Sequence, residues 1–155
     1  MCLRWLTDRA HTRSELAEKL ARRGVSDDAA ATVLERFVEV GLICDEAVAR
    51  DWVDAQRRGR SLGRRALADG LRRKGVDPEL VQQSVAVVSD DDEREAARAL
   101  VHSRLRSVQG LEPAAQQRRL AGLLARKGYP PSVVFSVVRE ELAGIDSHLD
   151  MDVVE

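Results

Sequence analysis

The sequence has few aromatic side chains: two Trp, one Tyr and two Phe, or 3% of 155 residues. Aromatic rings carry a large share of the area buried in thick cores, so a two-layer sheet is disfavoured. Only two cysteines occur, Cys2 and Cys44, with neither metal nor redox spacing. A reduced protein with one exposed and one half-buried thiol is expected. The histidines His11, His102 and His148 are scattered, with no H-E-x-x-H and no cysteine close by. There is no glycine-rich phosphate loop and no G-x-S-x-G elbow, and Gly59 and Gly63 read as turn or linker glycines. The chain is therefore expected to be no enzyme and to hold no cofactor and no metal. No apolar run approaches the roughly 18 residues that span a bilayer. At the start, Leu3, Trp5 and Leu6 are interrupted by Arg4 and followed by Asp8 and Arg9, which is no signal peptide. A cytoplasmic protein without membrane contact is expected. Nor is one charge in excess: 25 basic residues face 26 acidic ones, and a net charge of −1 argues neither for nor against nucleic acid.

What is present is a hydrophobic fraction of 44%, mostly Ala, Val and Leu, beside 33% charged residues. That composition favours thin helices with a narrow buried stripe. A repeat is legible in it. Leu16-Ala17-Glu18-Lys19-Leu20-Ala21-Arg22-Arg23-Gly24-Val25 aligns with Leu67-Ala68-Asp69-Gly70-Leu71-Arg72-Arg73-Lys74-Gly75-Val76. Both align with Leu120-Ala121-Gly122-Leu123-Leu124-Ala125-Arg126-Lys127-Gly128-Tyr129, the glycines lying 51 and 53 residues apart. Each copy keeps Leu at i and i+4, a basic pair, a glycine and a larger apolar residue. Physically this is a helix end: a buried stripe, cations at the negative end of the helix dipole, and a glycine for the left-handed position that stops the helix.

A new helix is predicted two residues on, capped by Ser26 and Asp77 and opened by Pro78 and Pro131, with Pro130 a poor cap. Its apolar face is Val33, Leu34 and Phe37 in the first copy, and Leu80, Val81, Val85 and Val88 in the second. In the third it is Val133, Val134, Val137, Val138 and Leu142. A helix precedes each of these pairs. Thr12 and Glu15 have capping-box spacing, Asp45 is placed to cap a helix carrying Val48, Trp52 and Val53, and Ser89 opens one carrying Ala97, Leu100, Val101 and Leu105. The acids Asp90 to Glu93 read as a first helical turn that complements the dipole. The fold class is thus all-α, a tandem array of three three-helix units over residues 1–43, 44–88 and 89–145. An acidic tail, 146–155, with Asp146, Asp150, Asp152 and Glu155, completes the chain.

Charge is uneven. Residues 1–44 hold 7 basic and 7 acidic residues, 45–88 hold 9 and 7, and 89–155 hold 9 and 12. Arg57, Arg58, Arg60, Arg64, Arg65, Arg72, Arg73 and Lys74 face the single acid Asp69 within residues 57–74. At 100° per residue, Arg65 and Arg72 fall opposite Leu67 and Leu71, with Arg64 and Arg73 on the flanks. Such a cluster suits phosphates or carboxylates. Arg73 and Lys74 also read as simple helix closure, since every copy has that pair. With few Asn or Gln and no recognition helix, any nucleic-acid contact rests on backbone charge.

The register resembles that of the RecX family. Leu6-Thr7-Asp8-Arg9-Ala10-His11-Thr12-Arg13-Ser14-Glu15-Leu16 is similar to the family's opening R-x-x-[ST]-R-x-E-L stretch. Gly41-Leu42-Ile43-Cys44-Asp45-Glu46-Ala47-Val48-Ala49 is similar to its next joint, with Val48 where an aromatic is usual. Trp52-Val53 through Arg57, Gly59, Gly63, Leu67, Leu71 and Lys74-Gly75-Val76-Asp77 is the most specific part. The likeness is strong over residues 6–82 and weaker after 90, and the chain starts close to its first helix, without the segment that precedes it in many members. The resemblance implies an elongated, curved, monomeric array that lies in the groove of the RecA–DNA filament. It also implies modulation, chiefly inhibition, of RecA recombinase, ATPase and coprotease activities in DNA repair and the SOS response. The eight basic residues above are then expected to face the filament, or single- or double-stranded DNA through its phosphates. A direct DNA-binding helical repeat and a protein scaffold that ignores DNA are the alternatives.

Overall fold

The Leu–Gly–cap register is realised as a helix, a turn and a second helix three times. The computed structural model describes residues 1–151, with side chains described through residue 147. Among the described residues there are nine helices and no strand. The first triplet is α1 (Cys2–Asp8), α2 (Arg13–Arg22) and α3 (Asp27–Glu39), and the second is α4 (Asp45–Arg60), α5 (Arg64–Arg73) and α6 (Pro78–Ala86). The third is α7 (Asp90–Val108), α8 (Pro113–Arg126) and α9 (Pro131–Met151).

Each repeated glycine ends its helix as expected. Gly24, Gly75 and Gly128 have φ of 79°, 74° and 88°. The next residue's N–H reaches back five positions, Val25 to Leu20 O, Val76 to Leu71 O and Tyr129 to Leu124 O, at 3.1, 3.1 and 3.2 Å. That bond pattern is the Schellman motif, whose apolar residue after the glycine packs against the helix end. Val76 and Tyr129 are accordingly buried, as are all six stripe leucines, Leu16, Leu20, Leu67, Leu71, Leu120 and Leu124. Thr12 and Glu15 form the full capping box, and Ser26, Asp77 and Ser89 each accept a first-turn N–H.

Several expectations need correction. Asp45 is the first residue of α4, and its carboxylate accepts the N–H of Arg13 at 2.9 Å, so it caps α2 instead of its own helix. Gly59 lies inside α4, whose last turn tolerates it in open space. Val33 is exposed, leaving the α3 stripe to Ala30, Leu34 and Phe37. Cys2 is buried in the first core, not half-buried, while Cys44 is exposed. Helix α9 runs on through Met151, so Asp146 and the backbone of Asp150 are helical; Asp152 and Glu155 lie outside the described residues.

The helices gather into two compact units. Unit 1 takes Met1–Ala55 with Ala68–Val87, and unit 2 takes Gln56–Leu67 with the residues from Val88 on. The middle triplet is thus shared, α4 dividing after Ala55 and α5 after Leu67. In unit 1 the Lys74–Gly75 turn docks on the start of α2. The Thr12 hydroxyl donates to Lys74 O at 2.7 Å, Lys74 Nζ donates to Glu15 Oε1 at 2.8 Å, and Gly75 lies against Ser14 with no room for a Cβ. In unit 2 the Lys127–Gly128 turn docks on the start of α5 in the same way. Gly63 N–H donates to Lys127 O at 2.8 Å, Lys127 Nζ donates to Arg60 O at 3.0 Å, and Gly128 abuts Ala66. A Cβ on Gly63 would lie 2.6 Å from Gly128 O, which explains glycine there. The Tyr129 hydroxyl donates to Ser61 O at 2.7 Å, holding the one described non-glycine residue at positive φ, 53°. Burial first, and Glu93 second, push this phenol up to about 12, so it stays a donor.

His11 is 2% exposed and its Nδ1 has no hydrogen-bond partner, 3.5 Å from Glu15 Oε2. Burial, helped by the Arg9 and Lys19 charges, holds its pKa below 6.5 despite Glu15. Burial also pushes Glu15 upward, but Lys74, the Thr12 N–H and Arg9 together outweigh it and hold the carboxyl below 4.5.

Two expected outcomes follow from this joint. Gly24 and Gly128 share a positive φ, but only Gly128 is packed against another element. Both alanine substitutions should cost about 1–2 kcal/mol for the left-handed backbone, and Gly128→Ala about 1–3 kcal/mol more for overpacking; equal losses in urea melts would refute the docking role of the turn. As pH falls below 6.5 the unfolded chain takes up the His11 proton before the folded one does, so stability declines. The loss between pH 7.5 and 5.5 should be at most about 1.4 kcal/mol. His11→Gln should flatten that segment of the pH profile, while the further loss below pH 4.5, as Glu15 gains its proton, should remain.

Candidate functional site

The eight basic residues of the 57–74 segment divide into two sets. Four make ion pairs, Arg64 and Lys74 with partly buried acids and Arg57 and Arg72 at the surface. Arg64 is the most deeply engaged: its N–H and Nε reach the two oxygens of Glu93 at 3.0 and 2.7 Å, Nη1 reaches Val88 O at 3.3 Å, and Nη2 bonds Asp90. Glu93 is 1% exposed, and the Arg64 side chain is 32% exposed. The bond to Asp90 first, with Glu93 beside it, outweighs burial and raises the guanidinium pKa further. Lys74 is held by Glu15, Arg72 by Asp69 at 2.8 Å within α5, and Arg57 by Asp92 at 4.0 Å.

The second set is Arg58, Arg60, Arg65 and Arg73, all exposed and without an ion-pair partner among the described residues. Arg58, Arg60 and Arg65 belong to unit 2, and Arg73 to unit 1. The structure therefore takes Arg64 out of the solvent-facing face that helical spacing assigns to its neighbour Arg65, since the first turn of α7 supplies the acids that bind it.

Arg65 is not isolated. It stands at the rim of a cavity of about 320 Å³ lined by Ala121, Gly122 and Ala125 of α8 and by Tyr129, Val134 and Phe135. The small residues on α8 make the floor, and Phe135 is 61% exposed beside it. An exposed aromatic next to an uncommitted arginine over an apolar floor has the composition of a protein-contact hot spot. Sequence reasoning did not single out Phe135, because α9 reads as a valine stripe; its signal is that it interrupts Val133, Val134, Val137 and Val138 at the position that points away from them. In the sequence Glu93 likewise stands out only as part of a dipole-complementing run. Among the described residues, no group of three His, Cys, Asp or Glu is placed to hold a metal, and no helix is long and apolar enough to cross a membrane.

The chain matches three consecutive family models: the first three-helix domain of RecX over residues 1–37, the second over 45–85 and the third over 91–138. It is 48% identical over 142 residues to the regulatory protein RecX of Streptomyces coelicolor, covering 92% of this chain and 76% of that one. It is also 48% identical over 147 residues to the regulatory protein RecX of Mycobacterium sp. (strain KMS), covering 92% and 80%. Among solved structures, the crystal structure of RecX from Lactobacillus salivarius has the same fold, with a TM-score of 0.81 at 19% identity over 89% of this chain and 90% of that one.

The division of the arginines has a measurable consequence. Arg64→Met leaves the Glu93 carboxylate buried and unpaired, and should cost about 3 kcal/mol, the lower end for breaking a buried pair, because Arg64 keeps some solvent contact. Arg65→Met should change stability by less than about 0.5 kcal/mol. Joining Arg64→Met to Glu93→Met should recover only part of the loss in urea melts, since the apolar pair removes the unpaired charge but leaves the Arg64 N–H without its acceptor.

Proposed function

The chain belongs to the RecX family of regulatory proteins, and on that premise we propose that it binds the RecA–DNA filament and modulates it, chiefly by inhibiting recombinase, ATPase and coprotease activities. The reading treats residues 1–43, 44–88 and 89–145 as the three repeats, with the basic segment of the middle one as a contact region. The observation that carries it is the division of that segment. Arg64 and Lys74 are closed into partly buried pairs and Arg57 and Arg72 have acids beside them at the surface, while Arg58, Arg60, Arg65 and Arg73 have no ion-pair partner among the described residues. Phe135 and its small-residue floor add an apolar anchor beside Arg65. Arginine and aromatic anchors together favour a protein partner over bare phosphate. The role in the filament therefore falls on Arg58, Arg60 and Arg65 with Phe135, whereas Arg64 serves by holding α5 on α7.

A RecA ATPase assay on single-stranded DNA tests this reading. The wild-type protein should lower the ATPase rate. Arg58→Glu combined with Arg60→Glu and Arg65→Glu should raise the concentration needed by about tenfold or more. Phe135→Ala should raise it by about 30-fold, the loss of one hot-spot side chain. Phe135→Ala should leave the urea midpoint nearly unchanged, and the charge reversals should lower stability only by what the last turn of α4 loses, about 1–2 kcal/mol. A wild-type protein that neither binds nor affects a RecA filament would sink the proposal, and full potency in both variants would move the contact elsewhere.

A further inference from the structure

Helix α8 has two open faces within unit 2, and Arg126 touches both. One is a basic groove of about 560 Å³ against α7, lined by Arg104, Arg118, Arg119 and Arg126. It falls in a window, residues 101–128, that holds six Lys or Arg against the single acid Glu112. The other is the cavity of about 320 Å³ beside Arg65 and Phe135, with Gly122 in its floor. Arg126 folds back over that glycine: a Cβ built on Gly122 would lie 3.2 Å from Nη1 of Arg126.

Three register positions set this cavity apart from its counterparts in the earlier repeats. With Leu120 aligned to Leu16 and Leu67, Gly122 stands where those repeats carry Glu18 and Asp69. Each of these acids pairs with an arginine of its own helix, Glu18 with Arg22 at 3.6 Å and Asp69 with Arg72 at 2.8 Å. Gly122 removes the acid, so Arg126, the equivalent of Arg22, is exposed with no ion-pair partner among the described residues. Glycine is unfavourable inside a helix, and here it opens the floor. Phe135 stands at the position of Ala31 and Gln82, and Arg139 at that of Glu35 and Ala86. Arg139 follows Phe135 by one turn and shares its face of α9. It too is exposed and without an ion-pair partner among the described residues. The acids next along, Glu140 and Glu141, are turned toward α7, where they pair with Arg94 and Arg98.

We infer, resting on the reading of Arg65 and Phe135 as a protein contact, that this face docks a partner's segment in which one bulky apolar side chain stands between acidic residues. The apolar side chain fills the cavity against Phe135, and the carboxylates pair with Arg65, Arg126 and Arg139. No acid lines the cavity to compete with them. The lining suits a side chain better than a nucleobase. Ala121, Gly122, Ala125, Pro131 and Val134 offer no hydrogen-bonding side chain, and the Tyr129 hydroxyl is already bonded to Ser61 O. A base seated there would leave its polar edge unpaired, which a buried site penalises.

The test is fluorescence anisotropy with the full chain, without RecA, of a labelled peptide that has one phenylalanine between two runs of three glutamates. The peptide should bind, and exchanging its phenylalanine for alanine or its glutamates for glutamine should each weaken binding about tenfold or more. Phe135→Ala should weaken it to a similar extent. Gly122→Asp restores the acid of the first two repeats beside Arg126 and should also cost about tenfold. Its circular dichroism should match the wild type, because aspartate is no worse than glycine inside a helix. No peptide binding by the wild type at low salt, or equal binding of the alanine peptide, would overturn the inference. Two further results would do the same. Oligothymidylate binding that Phe135→Ala weakens as much as peptide binding would give the cavity to a nucleobase. Self-association in sedimentation that Phe135→Ala abolishes would give it to a second copy. A peptide that fails to bind leaves the filament reading to the ATPase assay, whereas peptide binding by a protein without effect on RecA would keep this segment chemistry and sink the filament reading.

Discussion

The docking of a Lys–Gly turn onto the first turn of the preceding repeat's second helix is the contact on which the rest of this molecule depends. A unit of about 50 residues buries too little surface to stand alone, and the first N–H groups of every helix need partners from outside it. The joint meets both needs at once. The turn's carbonyl takes the Thr12 hydroxyl in one joint and the Gly63 N–H in the other, while the lysine reaches back to Glu15 or to Arg60 O. An acid from the first turn of the next repeat, Asp45 or Glu93, then accepts the first N–H of the docked helix. The glycine is required twice, for its positive φ and for the absence of a Cβ. Gly24 needs only the first of these, because nothing packs on it.

This constraint decides what the charges do. A basic residue close to a joint is drawn into it, and one a single position away is released. Arg64 and Arg65 are adjacent in sequence, yet one is closed on Glu93, Asp90 and Val88 O while the other stands at the mouth of an apolar cavity. Helical geometry makes the difference, since successive residues are turned by 100°. The acidic first turn of α7 faces one of them only. Counting basic residues along a segment therefore overstates the surface available to a partner, since Arg64 and Lys74 of residues 57–74 are closed into joints.

Much of the frame was legible in the sequence because it is written in local chemistry. Leu at i and i+4, glycine at C′ and the caps Thr12, Ser26, Asp77 and Ser89 act within a few residues of themselves, and these are found where spacing put them. What escaped was long-range. The role of Asp45 at α2, the burial of Glu93 and the exposure of Val33 depend on which helix comes to lie alongside, and nothing within a few residues of them records that. Phe135 and the α8 groove escaped for another reason. Each is a break in a pattern, an aromatic in a valine stripe and a basic window inside an acidic third, and averaging over long stretches erases breaks.

The repeat itself supplies a finer instrument than composition. Aligned copies share a frame, so a pair of positions that meets a turn in two copies and an open groove in the third marks surface that the described fold does not use. Positions 14 and 15 are small or paired within a joint, and 65 and 66 combine an outward arginine with an alanine under Gly128. Positions 118 and 119 are two arginines in an open groove. Burying two unpaired guanidiniums under another helical turn would cost more desolvation than the contact returns. That pair is thus unsuited to the protein–protein joint made at the equivalent sites and suited to an anion. The substitution of charge for contact at these two register positions leaves that face of α8 open and positively charged where the earlier repeats make a joint.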